Sequence, residues 1–313
     1  MSGSTYYVPE QSKWPILASI ALGLLAYGAA MTLTSMSADR DSVGPWILGA
    51  GFLVLFYVIF GWFKDQIQEE AQGLHSDQLD RSYRQGMLWF IFSEVMFFAA
   101  CLGALFYVGT FSVPGIGGEG AKGVTNMLWE GFTASWPLLQ TPDMKQFPGA
   151  QNIIDPWHLP LLNTVLLITS SVTVTFAHHA LKENKRRALE AWLAATIVLA
   201  VIFLYFQAVE YHEAYTELGL TLEAGIYGAT FFMLTGFHGF HVMLGTTMLF
   251  VMLLRCFDGA FSPEKHFAFE AVAWYWHFLD VVWVGLFIFV YILSHQYHAA
   301  RVSRLRSRIR PRQ

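Results

Sequence analysis

Residues 86–111 read GMLWFIFSEVMFFAACLGALFYVGTF, and Glu94 is their only formally charged residue. A run of this length and composition can cross a bilayer, which requires about 20 mostly apolar residues. At about 1.5 Å per residue, Glu94 lies roughly 12 Å into the run. Its helical neighbours, three or four positions away, are all apolar: Phe90, Ile91, Phe97 and Phe98. The stretch therefore predicts a transmembrane helix with a carboxyl group inside the hydrocarbon.

A carboxylate in hydrocarbon has lost its hydration, so Glu94 is expected to be either protonated or paired. One interpretation is a neutral acid that only joins two helices. The other is a functional residue, since ionisable groups inside the membrane commonly mark functional sites.

The composition extends the membrane assignment to the whole chain. Of its 313 residues, 55% are hydrophobic and 13% are charged, against about 25% charged in soluble domains. The first apolar segment is long enough to stay as an anchor, so no cleaved signal peptide is expected. The two cysteines, Cys101 and Cys256, have no CxxC spacing, which argues against a disulfide framework or a cysteine metal site. The sequence predicts an all-α polytopic membrane protein.

Seven apolar segments are long enough to span the membrane. They cover residues 14–36, 44–63, 86–112, 159–179, 191–211, 225–254 and 270–294. The predicted organisation has four parts: a two-helix hairpin at 1–63, an inner connection at 64–85, a five-helix bundle at 86–295 with a long outer loop at 112–158, and an Arg-rich tail at 296–313.

The distribution of Lys and Arg predicts the orientation. With the N-terminus inside, the inner segments outside the tail hold ten basic residues and the outer loops hold three. The positive-inside rule favours this arrangement. The six arginines between positions 301 and 312 oppose it, because seven spans place the C-terminus outside. We expect the earlier loops to dominate.

The fourth span carries small and hydroxylated residues at a spacing of seven. Asn163, Ser170 and Ala177 therefore share one face. Such residues let helices approach closely and form hydrogen bonds across the contact. This face is predicted to be a packing surface.

The last three spans, together with the residues just after the fifth, contain several ionisable residues: Glu210, Glu213, His238, His241, His277 and Asp280. Two histidines three apart on a helix can bind a metal, and imidazole suits haem, copper and zinc. The alternative is that the histidines pair with Glu94, Glu210, Glu213 and Asp280 across the bundle. The histidines lie at different depths and the chain has no HExxH motif, so we favour pairing and expect no metal site.

Five motifs in order connect the chain to a known family. They are FIFSEVMFF, PLLNTVLLITSSVTVTFAHH, QAVEYHEA, GIYGATFFMLTGFHGFHVMLG and FEAVAWYWHFLDVVW. The chain resembles cytochrome c oxidase subunit III of the haem-copper oxidase superfamily, from about Trp14 to Ser294. The long outer loop and the Arg-rich tail differ from shorter members of the family.

The resemblance implies an accessory role. Such subunits carry no haem or copper, which lie in partner subunits. They clasp catalytic subunit I, with subunit II in the same complex and cytochrome c as electron donor, and no nucleic acid is expected as a partner. The complex reduces dioxygen to water and pumps protons. The family fold separates helices 1 and 2 from helices 3 to 7 by a V-shaped cleft that holds phospholipid.

The resemblance also implies roles for particular residues. Glu94 matches a buried carboxylate beside the cleft, and we predict that it hydrogen-bonds His238. The lipid-binding set is expected near the inner surface: Trp62, Lys64, Glu69, His75, Arg255 and His266. An Arg that only extends its charge towards the interface, without a specific lipid, is the alternative.

Three other functions remain to be compared with this one. A proton-coupled transporter could use the same acids and histidines, but no inverted pair of broken helices is visible. A catalytic haem-copper subunit would need more spans and more histidine ligands. A quinol-oxidase subunit of the same family is disfavoured by seven spans rather than five. The expected location is a bacterial plasma membrane, with the mitochondrial inner membrane as the alternative.

Overall fold

The computed structural model describes residues 11–38, 40–74, 76–119 and 123–300, and it is helical. Seven helices in these residues are long and apolar enough to cross a membrane, and no strand occurs among them. This confirms the predicted all-α fold with seven spans. His75 and the arginines of 301–313 lie outside the described residues. The helices are α1 (Trp14–Ser37), α2 (Gly44–Ala71), α3 (Asp77–Tyr107), α4 (Leu159–Lys182), α5 (Arg186–Thr216), α6 (Gly225–Phe257) and α7 (Phe267–Leu286).

Several helices are longer than their apolar segments. α2 continues through polar residues to Ala71, α3 starts at Asp77, and α5 starts at Arg186. Gln, Glu and Arg are good helix formers, so a helix can continue through polar residues. Hydropathy identifies only the part of each helix that can lie in lipid. π-helical turns continue α3 at Val108–Ser112 and α7 at Phe287–Ile292.

The chain divides into two compact units, residues 1–86 and 87–313. In the first unit, α1 and α2 form a closely packed antiparallel pair. A Cβ added at Gly28 would collide with the backbone of Leu48. A glycine at this position therefore allows the two helix backbones to come together.

A second contact joins α1 and α2 where α1 begins. The indole Nε1 of Trp14 donates to Oδ2 of Asp65 at 2.7 Å, and the Trp14 side chain is buried. A buried Trp normally needs a partner for its N–H group. Asp65 supplies that partner.

The second unit has a core built around two tryptophans of α7. Trp276 and Trp283 are fully buried, and each donates its indole N–H at 2.9 Å to a hydroxyl on α4: Trp276 to Ser170, and Trp283 to Thr164. The predicted packing face of α4 is confirmed, since Asn163, Ser170 and Ala177 are all 0% exposed. The hydroxyls therefore hold α7 against α4 while satisfying their own polar groups.

The long connection between α3 and α4 packs on one end of the second unit. Leu138, Ala150 and Ile153 are buried, and the Gln151 backbone N–H donates to the Leu218 carbonyl at 2.9 Å. Its described residues therefore form an ordered cap on that end.

Candidate functional site

The carboxyl group of Glu94 lies against α6. Its Oε2 atom is 3.1 Å from Nε2 of His241, and the two side chains are 21% and 12% exposed. Both residues belong to the second unit. Glu94 therefore has the hydrogen-bonded partner that a carboxyl group in hydrocarbon requires.

The imidazole of His241 is fixed on its other side. Nδ1 lies 2.6 Å from the Phe237 carbonyl oxygen, so Nδ1 carries a proton and donates it there. The Phe98 ring packs against His241 at a centroid distance of 5.2 Å and is itself 3% exposed. Backbone and aromatic contacts thus orient the ring towards Glu94.

The predicted hydrogen bond between Glu94 and His238 is wrong. His238 is fully buried, and its Nε2 lies 3.2 Å from the Leu279 carbonyl oxygen on α7. Residues three apart on a helix differ in direction by about 60°. His241 consequently faces α3 while His238 faces α7, where its ring packs against Trp283 at 5.0 Å.

Glu210 forms a second buried polar group with a different partner. It is 1% exposed, and its Oε1 accepts a hydrogen bond from the Tyr291 hydroxyl at 2.6 Å. Gln207 donates to the same oxygen at 3.4 Å, whereas Glu213 is half-buried one turn further on. The predicted pairing of Glu210 with a histidine is wrong. Its hydrogen-bond partner is Tyr291, which lies in the π-helical turn after α7.

His277 and Asp280 form a third polar group, shared with α4. The Nδ1 atom of His277 lies 2.6 Å from Oγ of Ser171 and 3.7 Å from Oδ2 of Asp280. Nε2 of the same ring is 3.4 Å from Oγ1 of Thr175. Asp280 is therefore beside His277, as predicted, and the hydroxyls of α4 complete the group.

Three residues of the predicted lipid-binding set lie on the last turns of α2, in the first unit. Trp62 is 49% exposed and stacks with Phe63 at 5.8 Å. Lys64 is exposed, and Glu69 accepts a hydrogen bond from the Gln66 amide at 3.3 Å. Exposed tryptophan and lysine at a helix end suit the membrane interface.

Arg255 and His266 belong to the second unit, at the ends of α6 and α7. The Arg255 guanidinium carbon lies 4.8 Å above the Phe261 ring. Nδ1 of His266 is 3.2 Å from the Ser262 carbonyl oxygen. Local contacts in the connection between α6 and α7 therefore fix the positions of both side chains.

The described residues include no group of three or more His, Cys, Asp or Glu placed to hold a metal ion.

Three hydrogen-bond partners were not predicted from the sequence. They are the Ser171 hydroxyl beside His277, the Tyr291 hydroxyl that donates to Glu210, and the Asp65 carboxylate that accepts from the Trp14 indole. Tyrosine and tryptophan inside apolar helices usually need a hydrogen-bond partner. That requirement indicates that such residues have polar partners on neighbouring helices. The distances between helices could not be read from one sequence.

Among the described residues, seven helices are long and apolar enough to cross a membrane, and Glu94 pairs with His241 inside the second unit. These features define an integral membrane protein of the polytopic helical class. The family model described as cytochrome c oxidase subunit III matches residues 4–122 and 124–295. The chain belongs to this family.

Curated relatives agree with this assignment over nearly their whole length. A cytochrome c oxidase subunit 3 of Prototheca wickerhamii is 40% identical over 91% of this chain and 96% of its own. The subunits of Triticum aestivum and Oncorhynchus mykiss are 36% and 37% identical over 92% and 91% of this chain, and 96% of their own. The chain is thus similar to subunits of an oxidoreductase complex.

Proposed function

We propose that the chain is the accessory subunit III of a proton-pumping cytochrome c oxidase and carries no redox centre of its own. The observation behind the proposal is the family match, which extends over almost the entire chain. In this assignment haem and copper belong to partner subunits. Catalytic subunit I is the direct partner, subunit II is part of the same complex, and cytochrome c supplies the electrons.

The proposed contribution to oxidase chemistry is to stabilise subunit I and to maintain proton uptake. The support for this is the Glu94–His241 pair, in which two groups able to exchange a proton lie within hydrogen-bond distance. The other polar groups of the bundle, including Glu210 and Asp280, would keep the bundle in one arrangement. Reduction of dioxygen to water would take place in subunit I.

Phospholipid binding is the second proposed contribution, and it rests on the family resemblance. A lipid phosphate suits a guanidinium group because Arg donates several hydrogen bonds in one plane. We propose that Arg255, His75 and Trp62 contact lipid, and that Lys64, Glu69 and His266 belong to the same lipid-binding set.

Lipid analysis of purified variants tests this assignment. Arg255→Ala combined with His75→Ala should lower the amount of phospholipid retained per complex. Arg187→Ala is the matched control, because Arg187 is an exposed arginine outside the proposed set. Unchanged retention in the double variant would contradict the lipid site.

Mild purification tests the main proposal. The chain should co-purify with larger subunits whose optical spectrum contains haem, and the complex should oxidise cytochrome c. Isolation with haem-free partners, or alone, would contradict the assignment.

The proposed location is a bacterial plasma membrane with the N-terminus inside and the C-terminus outside; a mitochondrial inner membrane is the alternative.

A further inference from the structure

Two hydrogen-bond donors converge on one oxygen of the Glu210 carboxyl group. The Tyr291 hydroxyl donates to Oε1 at 2.6 Å, and the Gln207 amide donates to the same atom at 3.4 Å. Oε2 has no hydrogen-bond partner in the described part of the chain, and it is inaccessible from outside. The two oxygens of this carboxyl group therefore have different environments.

The Gln207 side chain shows the same imbalance. Its Nε2 atom donates to Glu210, whereas its Oε1 atom is buried and, among the described residues, has no donor. Gln207 and Glu210 are three positions apart in α5 and share one face of that helix. The two oxygens that have no donor thus belong to two side chains that already contact each other.

The surroundings of Glu210 are unfavourable for a negative charge. The described partners of its carboxyl group are a hydroxyl and an amide, both neutral. The rings of Phe231 and Trp283 pack on Tyr291 at centroid distances of 5.6 and 6.1 Å. The next ionisable residue on this face of α5 is another acid, Glu213. A buried charge normally has a partner of opposite charge, so an ionised Glu210 would be costly here.

We infer that Glu210 is a protonated carboxylic acid whose Oε2–H group donates to Oε1 of Gln207. A protonated carboxyl group has one O–H donor and a carbonyl oxygen that accepts, whereas an ionised carboxylate only accepts. Oε1, which has two donors, is then the carbonyl oxygen, and Oε2 is the hydroxyl oxygen. One proton therefore gives both remaining oxygens a partner, and the acid and the amide form two parallel hydrogen bonds.

This arrangement makes Glu210 a fixed proton site, in contrast to Glu94. The Glu94 carboxyl group is 21% exposed and lies 3.1 Å from an imidazole, which can take up its proton near neutral pH. The described partners of Glu210 are an amide and a phenol, and neither takes up a proton in that range. Glu210 therefore keeps its proton and joins α5 to the π-helical turn after α7 without burying a charge.

Infrared spectroscopy of the purified protein at neutral pH tests the inference, because a carboxylic acid has a C=O stretching band that a carboxylate lacks. Subtracting the spectrum of Glu210→Gln from that of the wild type should reveal one such band. Glu213→Gln is the matched control, since Glu213 is a half-buried acid one turn further on, and the Glu210 band should persist in its spectrum. A Glu210→Gln difference that contains carboxylate bands and no carboxylic acid band would overturn the inference.

Substitution of Tyr291 gives a second measurement that does not require the Glu210 variant to fold. Tyr291→Phe removes the donor to the carbonyl oxygen, so the carboxylic acid band should persist and move to a higher frequency. An unchanged band would mean that it belongs to another acid, and would overturn the inference. The inference does not depend on the proposed function, because the band is a property of this chain whether or not it co-purifies with a haem-containing complex.

Discussion

The Nε2 atom of His241 lies 3.1 Å from the Oε2 atom of Glu94, so a histidine of α6 and an acid of α3 form one hydrogen-bonded pair within the bundle. Removing one partner of a buried charged pair typically costs about 3–5 kcal/mol if the other stays charged. Reprotonation of the remaining partner would reduce that cost.

The pair predicts how three variants should differ from the wild type during turnover. Glu94→Ala and His241→Ala should assemble and start at a near-normal oxidase rate but lose activity faster per turnover, because proton uptake suffers. Glu94→Gln should be milder, since it keeps the shape and a hydrogen bond. Activity is followed from the first turnovers to complete inactivation.

His238→Ala is the control for that series. His238 contacts Leu279 rather than Glu94, so its removal should affect stability more than inactivation per turnover. Indistinguishable inactivation in the wild type and all variants would mean that the Glu94–His241 pair only holds the helices together.

The close contact at Gly28 predicts a difference between two identical substitutions in α1. Gly28→Ala should destabilise the α1–α2 pair by about 1–3 kcal/mol, because its Cβ would meet the Leu48 backbone. Gly23→Ala should be neutral or slightly stabilising, since nothing lies within 4 Å of its added Cβ. The measurement is the SDS concentration that unfolds each variant in mixed micelles; equal midpoints would contradict the packing argument.

The Trp14–Asp65 hydrogen bond predicts a coupling between α1 and α2. Trp14→Phe keeps an aromatic ring but removes the N–H donor, and it should cost about 1.5–3 kcal/mol if Asp65 is ionised. A double-mutant cycle with Asp65→Ala, which removes the acceptor, isolates the pair from the packing of the ring. Strict additivity of the two single effects would show that the bond contributes nothing.

The orientation of the bundle can be measured with introduced cysteines. Arg187→Cys and Lys145→Cys place thiols at two exposed positions, which the loop charges assign to opposite sides of the membrane. In intact cells or spheroplasts, an impermeant maleimide should label position 145 but not 187. Labelling of 187 from outside would reverse the topology; the unsubstituted chain controls for Cys101 and Cys256.

Metal content provides a fifth prediction. The separated subunit should show no haem absorption and no stoichiometric copper, because its histidines already have partners such as Glu94, Ser171 and the Leu279 carbonyl. Metal analysis of the subunit after dissociation of the complex measures this. One tightly held iron or copper per chain would contradict it.

The sequence was sufficient for the spans and insufficient for the pairing of side chains. Apolar length predicted all seven helices, but it placed the start of α5 at residue 191 instead of Arg186, because helix formation does not require hydrophobicity. The TGFHGFHV motif contains two histidines, and only the rotation of α6 decides that His241 rather than His238 faces Glu94. Likewise, nothing near Glu210 in sequence identifies Tyr291 as its partner, because they are brought together by the packing of α5 and α7.

The Phe237 carbonyl restricts what His241 can do with a proton. Its oxygen, 2.6 Å from Nδ1, accepts the Nδ1 hydrogen, which leaves Nε2 as the one ring position whose protonation can change while that bond persists. Nε2 is directed at Glu94. While that bond persists, the ring can gain or lose a proton only at Nε2, on the side that faces α3. The backbone carbonyl of Phe237 therefore determines which side of the ring exchanges protons.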